Sequence, residues 1–134
     1  MRNMLVRPDK KEWKKDFANG ADFTIFNAGE YYCPTTPLLK GVSTKSRCTI
    51  SLNFSKKRMI IMGSQYAGEL KKGVFTIMNY LMPKRGVLSL HSSCNTDLNG
   101  ENATLLFGLS GTGKTSLSAD SKRKLIGDDE HCWT

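Results

Sequence analysis

Apolar and polar residues alternate with a period of two in the first half of the chain, the pattern of strands with one buried face. Residues 22–27 and 49–54 alternate in this way, and an apolar run over residues 59–62 follows the charged pair Lys56–Lys57. We therefore predict a strand over each run and a hairpin that joins the second strand to the third.

The period changes to that of a helix over residues 66–82, where apolar residues recur every three or four positions. Pro83 and Gly86 are expected to end this helix. A shorter helix is predicted around residues 12–17, and residues 31–45, which hold two prolines, are predicted to form an irregular loop. One stripe defines the longer helix: Leu70, Val74, Ile77, Met78 and Leu81.

The last third of the chain reads as strands alternating with turns and one short helix. Strands are predicted over residues 87–91, 103–107 and 124–127, with the middle one buried, and a polar turn over residues 97–101. Residues 115–119 are expected to start a helix. These elements predict an α/β fold with a mixed sheet.

A glycine-rich segment stands between the predicted strand 103–107 and the helix after it. It has the pattern G-x-x-x-x-G-K-T, which is typical of a P-loop that cradles nucleotide phosphates. In this interpretation Lys114 reaches the β- and γ-phosphates and the Thr115 hydroxyl binds Mg²⁺. The alternative is a plain glycine-rich turn. The segment reads Gly108, Leu109, Ser110, Gly111, Thr112, Gly113, Lys114, Thr115.

Two adjacent carboxylates, Asp128 and Asp129, follow the predicted strand 124–127. Beside a triphosphate they are suited to hold a divalent cation, directly or through water. In open α/β sheets this end of a strand is where ligands bind. About a dozen residues separate them from Thr115, which argues against an ordinary ATPase or GTPase; the alternative is a polar strand end.

Lysines at a helix start oppose the preference of the helix dipole for negative charge. Lys71 and Lys72 stand near the start of the helix 66–82, which favours an anionic ligand or a metal site nearby. Two solvated lysines are the alternative. His91 ends a predicted strand and, taken alone, is explained better by a structural role than by a role as a ligand.

Composition narrows the function classes. The 134 residues are 39% hydrophobic and 24% charged, with a net charge of +8, ordinary values for a globular domain except for the excess of positive charge. No segment is predicted to span a membrane, and no signal peptide is visible. The four cysteines lack metal-site spacing and are expected to be thiols in a reducing compartment.

The net charge raises the alternative of a nucleic-acid-binding protein. The lysines of residues 10–15 alternate with Glu12 and Asp16, which is typical of a solvated helix face. No basic stretch is interleaved with aromatic residues, as an RNA-binding strand requires. We therefore predict no nucleic-acid partner and expect the charge to attract anionic metabolites.

Taken together, these motifs resemble the ATP-dependent phosphoenolpyruvate carboxykinases, in order and along nearly the whole chain. Two early stretches, residues 2–8 and 22–29, match that family as well. The motifs that carry the resemblance are Tyr66-Ala67-Gly68-Glu69-x-Lys71-Lys72-Gly73, Met78-Asn79-Tyr80-Leu81-Met82-Pro83, Leu90-His91-Ser92, the glycine-rich segment 108–115, and Leu125-Ile126-Gly127-Asp128-Asp129-Glu130-His131-x-Trp133.

The resemblance implies a cytoplasmic lyase of gluconeogenesis that makes phosphoenolpyruvate, CO₂ and ADP from oxaloacetate and ATP, with Mn²⁺ and Mg²⁺ as cofactors. It implies that residues 1–86 end a substrate domain and residues 87–134 begin a P-loop nucleotide-binding domain. Neither a membrane nor a nucleic-acid partner is expected.

The resemblance also implies roles for individual residues. Tyr66 and Lys72 would contact substrate, and Lys71, Lys72, Ser110 and Lys114 would be catalytic. The nucleotide would be bound by Gly108, Leu109, Ser110, Gly111, Thr112, Gly113, Lys114, Thr115 and Ser116. The metal ligands would be Lys72, His91 and Asp129 for Mn²⁺ and Thr115 for Mg²⁺, with Asp128 orienting water on the second ion.

Two departures qualify this expectation. Ser116 stands where the family mostly has threonine, and the chain resembles only an internal stretch of a protein several times longer. The substrate arginines and the residues that enclose adenine are absent from it, so an inactive fragment is expected. The alternative is a nucleotide-binding module without carboxykinase activity, which does not require Lys72, His91 and Asp129 to meet around a metal.

Overall fold

The computed structural model describes residues 8–33 and 46–134. The chain divides into two compact units, Met1–Gly73 and Val74–Thr134. The predicted division into domains 1–86 and 87–134 refers to the fold of the complete carboxykinases, and it stays a prediction. In chain order the elements are α1 Lys10–Asp16, β1 Thr24–Ala28, β2 Thr49–Asn53, β3 Arg58–Met62, α2 Gly68–Leu81, a 3₁₀ turn Pro83–Arg85, β4 Leu88–His91, β5 Ser93–Thr96, β6 Thr104–Leu106, α3 Lys114–Ser118, β7 Lys124–Gly127 and β8 Glu130–Trp133.

Helix α1 confirms the short N-terminal helix, although it starts two residues earlier than predicted. The Asp9 carboxylate accepts from the backbone N–H groups of Lys11 and Glu12 at 2.7 and 2.8 Å. The Glu12 carboxylate accepts from the Asp9 N–H at 2.9 Å, which completes a capping box. The helix buries none of its residues, as expected of a solvated charged face.

The first unit contains a three-stranded sheet in the order β1-β3-β2. The predicted hairpin is confirmed, since β2 runs antiparallel to β3, and β1 lies parallel to β3 on the other side. Met59 and Ile61 point to one face and are buried, whereas Ile60 between them is 43% exposed. Period-two burial along β3 is therefore real, even though the run Arg58–Met62 is apolar at four of its five positions.

Helix α2 confirms the predicted 3.6-residue period. It ends at Leu81, before Pro83, and the chain reverses at Gly86 in the left-handed conformation with φ of 73°. The boundary between the two units falls inside this helix. In the first unit, the buried Gly73 of α2 packs against the side chain of Met59.

The second unit is built on a long antiparallel ribbon that bends once. Strand β4 pairs with β8, and β5, which follows β4 after one residue, pairs with β7. His91 lies opposite Glu130 and Cys94 opposite Gly127, so the unbroken register puts Ser92 and Ser93 opposite Asp129 and Asp128. Residues 128–129 form the bend between β7 and β8, and the register of β5 with β7 shifts between Cys94 and Asn95. Strand β6 pairs with the other edge of β5.

One expectation for the second unit needs correction, and two strands were not predicted. The predicted strand 103–107 exists as β6, but it is not buried: Thr104 is exposed and Phe107 is 62% exposed. The reason is that β6 is an edge strand of a three-stranded sheet. Strand β8, which begins at Glu130, was not predicted. Strand β5 was not predicted, since its buried residues are mostly polar.

The remaining local predictions fare well. The strand 87–91 is confirmed as β4, the polar turn after residue 97 is present, and the helix after the glycine-rich segment is α3, five residues long. None of the four cysteines, all within the described ranges, forms a disulfide. Most of the predicted loop 31–45 lies outside the described residues.

Candidate functional site

The bend in the ribbon brings together His91 and Asp129, two of the predicted metal ligands. His91 ends β4 and Asp129 precedes β8, so the bend places their side chains next to each other although 38 residues separate them. His91 Nε2 lies 2.8 Å from Asp129 Oδ1. The imidazole is 43% exposed and the carboxylate side chain 26%, so the pair stays accessible to a ligand.

Two further hydrogen bonds cross the ribbon at the bend and fix its shape. The hydroxyl of Ser93, a fully buried residue, donates to the carbonyl of Asp128 at 2.6 Å. His131 Nδ1 lies 2.8 Å from the carbonyl of Ser92; because a carbonyl only accepts, this ring nitrogen carries the proton. Both bonds hold the backbone that carries the His91–Asp129 pair.

An aromatic ring supports the imidazole from the side. Phe75 of α2 meets His91 edge-on, with ring centroids 5.9 Å apart and planes inclined at 61°. Such T-shaped contacts favour one ring orientation over others. Phe75 thus helps to direct Nε2 of His91 toward Asp129.

The donor set of the pair can bind a divalent transition metal. Imidazole nitrogen suits metals such as Zn²⁺ and Fe²⁺, carboxylate oxygen suits Mn²⁺, and the hydrogen bond of 2.8 Å keeps both donor atoms in one place. The described residues contain no cluster of three or more His, Cys, Asp or Glu side chains able to hold an ion.

Contrary to the expectation from sequence, Asp128 and Asp129 do not lie at the ligand-binding edge of an open parallel sheet. Strand β7 runs antiparallel to β5, so that rule does not apply here. What places Asp129 beside His91 is the bend. Asp128 is exposed, and its backbone carbonyl is the group that Ser93 holds.

The glycine-rich segment curls around one carbonyl oxygen, that of Leu109. The hydroxyl of Thr112 donates to it at 2.7 Å and the backbone N–H of Thr112 at 3.3 Å. The ammonium of Lys114 donates to the same oxygen at 3.1 Å. This curl keeps the lysine head group folded over the segment.

Three glycines allow that curl. Gly111 and Gly113 have φ of 79° and 89°, the left-handed region that glycine enters without strain. A Cβ at Gly108 would stand 2.5 Å from the Thr112 hydroxyl oxygen. The pattern G-x-x-x-x-G-K-T therefore reflects backbone requirements at each glycine.

The other predicted nucleotide-binding residues lie in or next to this curl. Lys114 is half-buried, and Thr115 and Ser116 are exposed in the first turn of α3. Ser110 is exposed, and Leu109 is 81% exposed. The segment thus presents its polar groups outward, where a solute can reach them.

The predicted residues of the first unit lie at the start of α2. Tyr66 is 72% exposed, and a Cβ at Gly68 would collide with its ring. Its neighbours Gln65 and Ala67 line a pocket of about 440 Å³, located where the parallel strands β1 and β3 end. Lys71 and Lys72 are exposed on the first turns of the helix. The part of Lys72 in a metal site stays a prediction.

Sequence reasoning missed the groups that hold these residues in place. Ser93, His131 and Phe75 support the metal pair, and Asn95 with Arg123 supports α3. The hydrogen-bond partners of the Ser93, His131, Asn95 and Arg123 side chains lie 19 to 39 positions away in the chain. No local pattern in the sequence indicates contacts between residues so far apart.

Known proteins are similar to this chain along its full length. The phosphoenolpyruvate carboxykinase family profile matches residues 1–134. The chain belongs to the ATP-dependent phosphoenolpyruvate carboxykinase family. The phosphoenolpyruvate carboxykinase (ATP) of Dictyostelium discoideum is 57% identical over 134 residues, that of Candida albicans 55% over 135 and that of Zea mays 54% over 134.

The match covers all of this chain but a minor part of each relative. The aligned region is 23% of the Dictyostelium discoideum and Candida albicans carboxykinases and 19% of the Zea mays enzyme. The chain thus spans about a quarter of the length of these phosphoenolpyruvate carboxykinases. Among the helices within residues 8–33 and 46–134, none has the length and hydropathy of a membrane-spanning segment.

Proposed function

We propose that this chain carries the metal-binding and phosphate-binding part of an enzyme that converts oxaloacetate and ATP to phosphoenolpyruvate, CO₂ and ADP. The observation that carries the proposal is the His91–Asp129 pair, 2.8 Å apart, in a chain 57% identical to a phosphoenolpyruvate carboxykinase (ATP). A cytoplasmic location and a role in gluconeogenesis belong to the same proposal.

In this proposal His91 and Asp129, with Lys72, hold Mn²⁺. The cation would act as a Lewis acid toward the oxygen anion that remains when oxaloacetate loses CO₂. A lysine ligates only as the neutral amine, so Lys72 would have to lose its proton on binding. Tyr66, beside the pocket at the ends of β1 and β3, would contact the substrate.

The glycine-rich segment 108–113 and the residues after it would bind ATP. Lys114 would exchange its contact with the Leu109 carbonyl for phosphate oxygens and neutralise charge on the transferring phosphoryl group. Thr115 would hold the Mg²⁺ that accompanies ATP, and Asp128 would orient water on that ion. Lys71 and Ser110 would complete the catalytic set, with Ser110 near the γ-phosphate.

Ligand binding tests both halves of the proposal on the 134-residue chain. Mn²⁺ binding is followed by the loss of the free-ion electron paramagnetic resonance signal, and ATP binding by calorimetry. We expect His91→Gln and Asp129→Asn to abolish Mn²⁺ binding while the control Asp16→Asn, which makes the same charge change on the exposed α1, leaves it unchanged. Lys114→Gln should weaken ATP binding about tenfold or more.

Phosphoenolpyruvate formation from oxaloacetate and ATP tests the reaction itself, with a Lys72→Ala, His91→Ala double variant as control. Turnover that the double variant loses would show that this part of the protein suffices for catalysis. ATP binding together with Mn²⁺ binding that ignores His91 and Asp129 would instead favour a nucleotide-binding module without carboxykinase activity.

A further inference from the structure

One buried amide on the central strand of the second unit contacts the end of the helix that follows the glycine-rich segment. Asn95 of β5 is 2% exposed. Its Nδ2 donates to the carbonyl of Ser118, the last residue of α3, at 3.1 Å. Its Oδ1 accepts from Nε of Arg123 at 2.8 Å. The two partners fix the orientation of the amide, since one needs a donor and the other an acceptor.

The guanidinium of Arg123 also bonds to the strand that precedes the glycine-rich segment. One of its terminal nitrogens donates to the carbonyl of Asn102 at 2.7 Å and to the hydroxyl of Thr104 at 3.0 Å. Thr104 begins β6, the strand that leads into Gly108. The rigid, planar fork of arginine suits it to hold several acceptors in one geometry.

These two side chains therefore hold both ends of the stretch that contains the glycine-rich segment. Arg123 holds its entry at Thr104, and Asn95 holds its exit at Ser118. Helix α3 has only five residues, and its N-cap Gly113 provides no side-chain cap, so the helix depends on contacts from outside itself. The segment between the two ends is glycine-rich and exposed.

We propose that Asn95 and Arg123 are positioning residues that set the geometry of residues 108–113 and thereby the affinity of the chain for ATP. This inference rests on the proposed nucleotide site. Neither residue would touch the phosphates of ATP. Neither contributes to the His91–Asp129 pair, whose backbone Ser93 and His131 hold through separate bonds.

A matched pair of variants separates positioning from loss of charge. Arg123→Gln removes the fork and one positive charge, whereas Lys122→Gln removes the same charge from the exposed neighbouring residue. Dissociation constants for Mg-ATP and for Mn²⁺ are measured on the 134-residue chain, well below the unfolding temperature of each variant. Arg123→Lys, which keeps the charge and can remake one bond, tests rescue.

We expect Arg123→Gln to weaken ATP binding about tenfold or more, as the loss of hydrogen bonds from a charged group would do, and to change Mn²⁺ binding less than about twofold. Lys122→Gln should leave both constants unchanged, and Arg123→Lys should recover part of the ATP affinity. This selective effect is one that a purely structural role would not produce, since folded molecules would then bind ATP normally.

The other outcomes are equally decisive. A folded Arg123→Gln variant with the parent's ATP affinity overturns the inference and leaves the proposed function intact. Failure of the parent chain to bind ATP, with Mn²⁺ binding present or absent, overturns the nucleotide site and the positioning role together. If Arg123→Gln does not fold, Thr104→Val is measured instead, because it removes one of the three contacts of the Arg123 side chain. It should weaken ATP binding about two- to threefold. An unchanged ATP affinity would count against the inference.

Discussion

Individual carboxylates organise the loops of the second unit, and Asp97 is the best-defined case. Its Oδ1 accepts from the backbone N–H groups of Asn99 and Glu101 at 3.0 and 2.8 Å, and its Oδ2 accepts from the Asn102 amide at 2.7 Å. These bonds, the one from Glu101 first, lower the pKa of the Asp97 carboxyl below its usual value. The loop they close presents the Asn102 carbonyl that Arg123 binds.

The lowered pKa of Asp97 predicts a loss of stability in acid. A group whose pKa is lower in the folded state stabilises the protein above the unfolded pKa, about 3.9 for aspartate, and the contribution disappears as pH falls through the folded value. We expect Asp97→Asn, which cannot be protonated in this range, to flatten the pH dependence of unfolding below about pH 4. Urea unfolding of both proteins between pH 2 and 6 measures this, and parallel pH profiles would contradict it.

The buried hydroxyl of Ser93 provides a second prediction at this scale. Ser93→Ala removes the 2.6 Å bond to the Asp128 carbonyl and should lower the free energy of unfolding by about 1 kcal/mol. It should also weaken Mn²⁺ binding, because the carbonyl belongs to the residue next to Asp129. Ser121→Ala in an exposed turn is the control. An unchanged unfolding midpoint for Ser93→Ala would show that the bond to the Asp128 carbonyl does not stabilise the fold.

At the scale of elements, hydrophobic periodicity predicted the helices and strands that depend on their own residues. Helix α2 and the hairpin of β2 and β3 follow from periods of 3.6 and 2 in their own residues. Strand β5 could not be found in this way, because Ser93, Asn95 and Thr96 are buried polar residues. The Ser93 side chain bonds to the Asp128 carbonyl, and that of Asn95 to Ser118 and Arg123. The identities of the candidate site residues came from motifs, but the meeting of His91 with Asp129 depends on the pairing of β4 with β8.

Gly73 determines how closely α2 approaches β3 in the first unit. Alanine normally stabilises a helix interior relative to glycine by about 1 kcal/mol. A Cβ at Gly73, however, would collide with the side chain of the fully buried Met59. We therefore expect Gly73→Ala to destabilise the protein by about 1–3 kcal/mol, as overpacking does, measured by urea unfolding.

A double-variant cycle shows whether this collision is the cause. Met59→Ala alone should cost about 2–5 kcal/mol through the cavity that it leaves. Combined with Gly73→Ala, it should cost less than the sum of the two single changes, since the new methyl group enters the vacated space. Strictly additive free energies would show that the two side chains do not compete for one volume.

At the scale of the whole molecule, the excess of positive charge must be reconciled with the proposed function. Twenty lysines and arginines stand against twelve aspartates and glutamates, and such a chain attracts any polyanion to some extent. Charge alone acts over a distance and depends on salt, whereas a phosphate site depends on one side chain in one place. The effect of overall charge and that of a local phosphate site can therefore be separated by removing one positive charge at two different positions.

Lys10→Gln on the exposed helix α1 and Lys114→Gln in the glycine-rich segment lower the net charge equally. We expect ATP affinity to fall about tenfold or more for Lys114→Gln only, because that lysine lies half-buried against the curl around the Leu109 carbonyl. Binding to a single-stranded oligonucleotide should be weak and lost between 50 and 200 mM salt, and both variants should reduce it alike. Calorimetry with ATP and fluorescence anisotropy with the oligonucleotide make the two measurements. Equal losses of ATP affinity in both variants would mean that the nucleotide responds to overall charge and that the segment 108–115 is not a site.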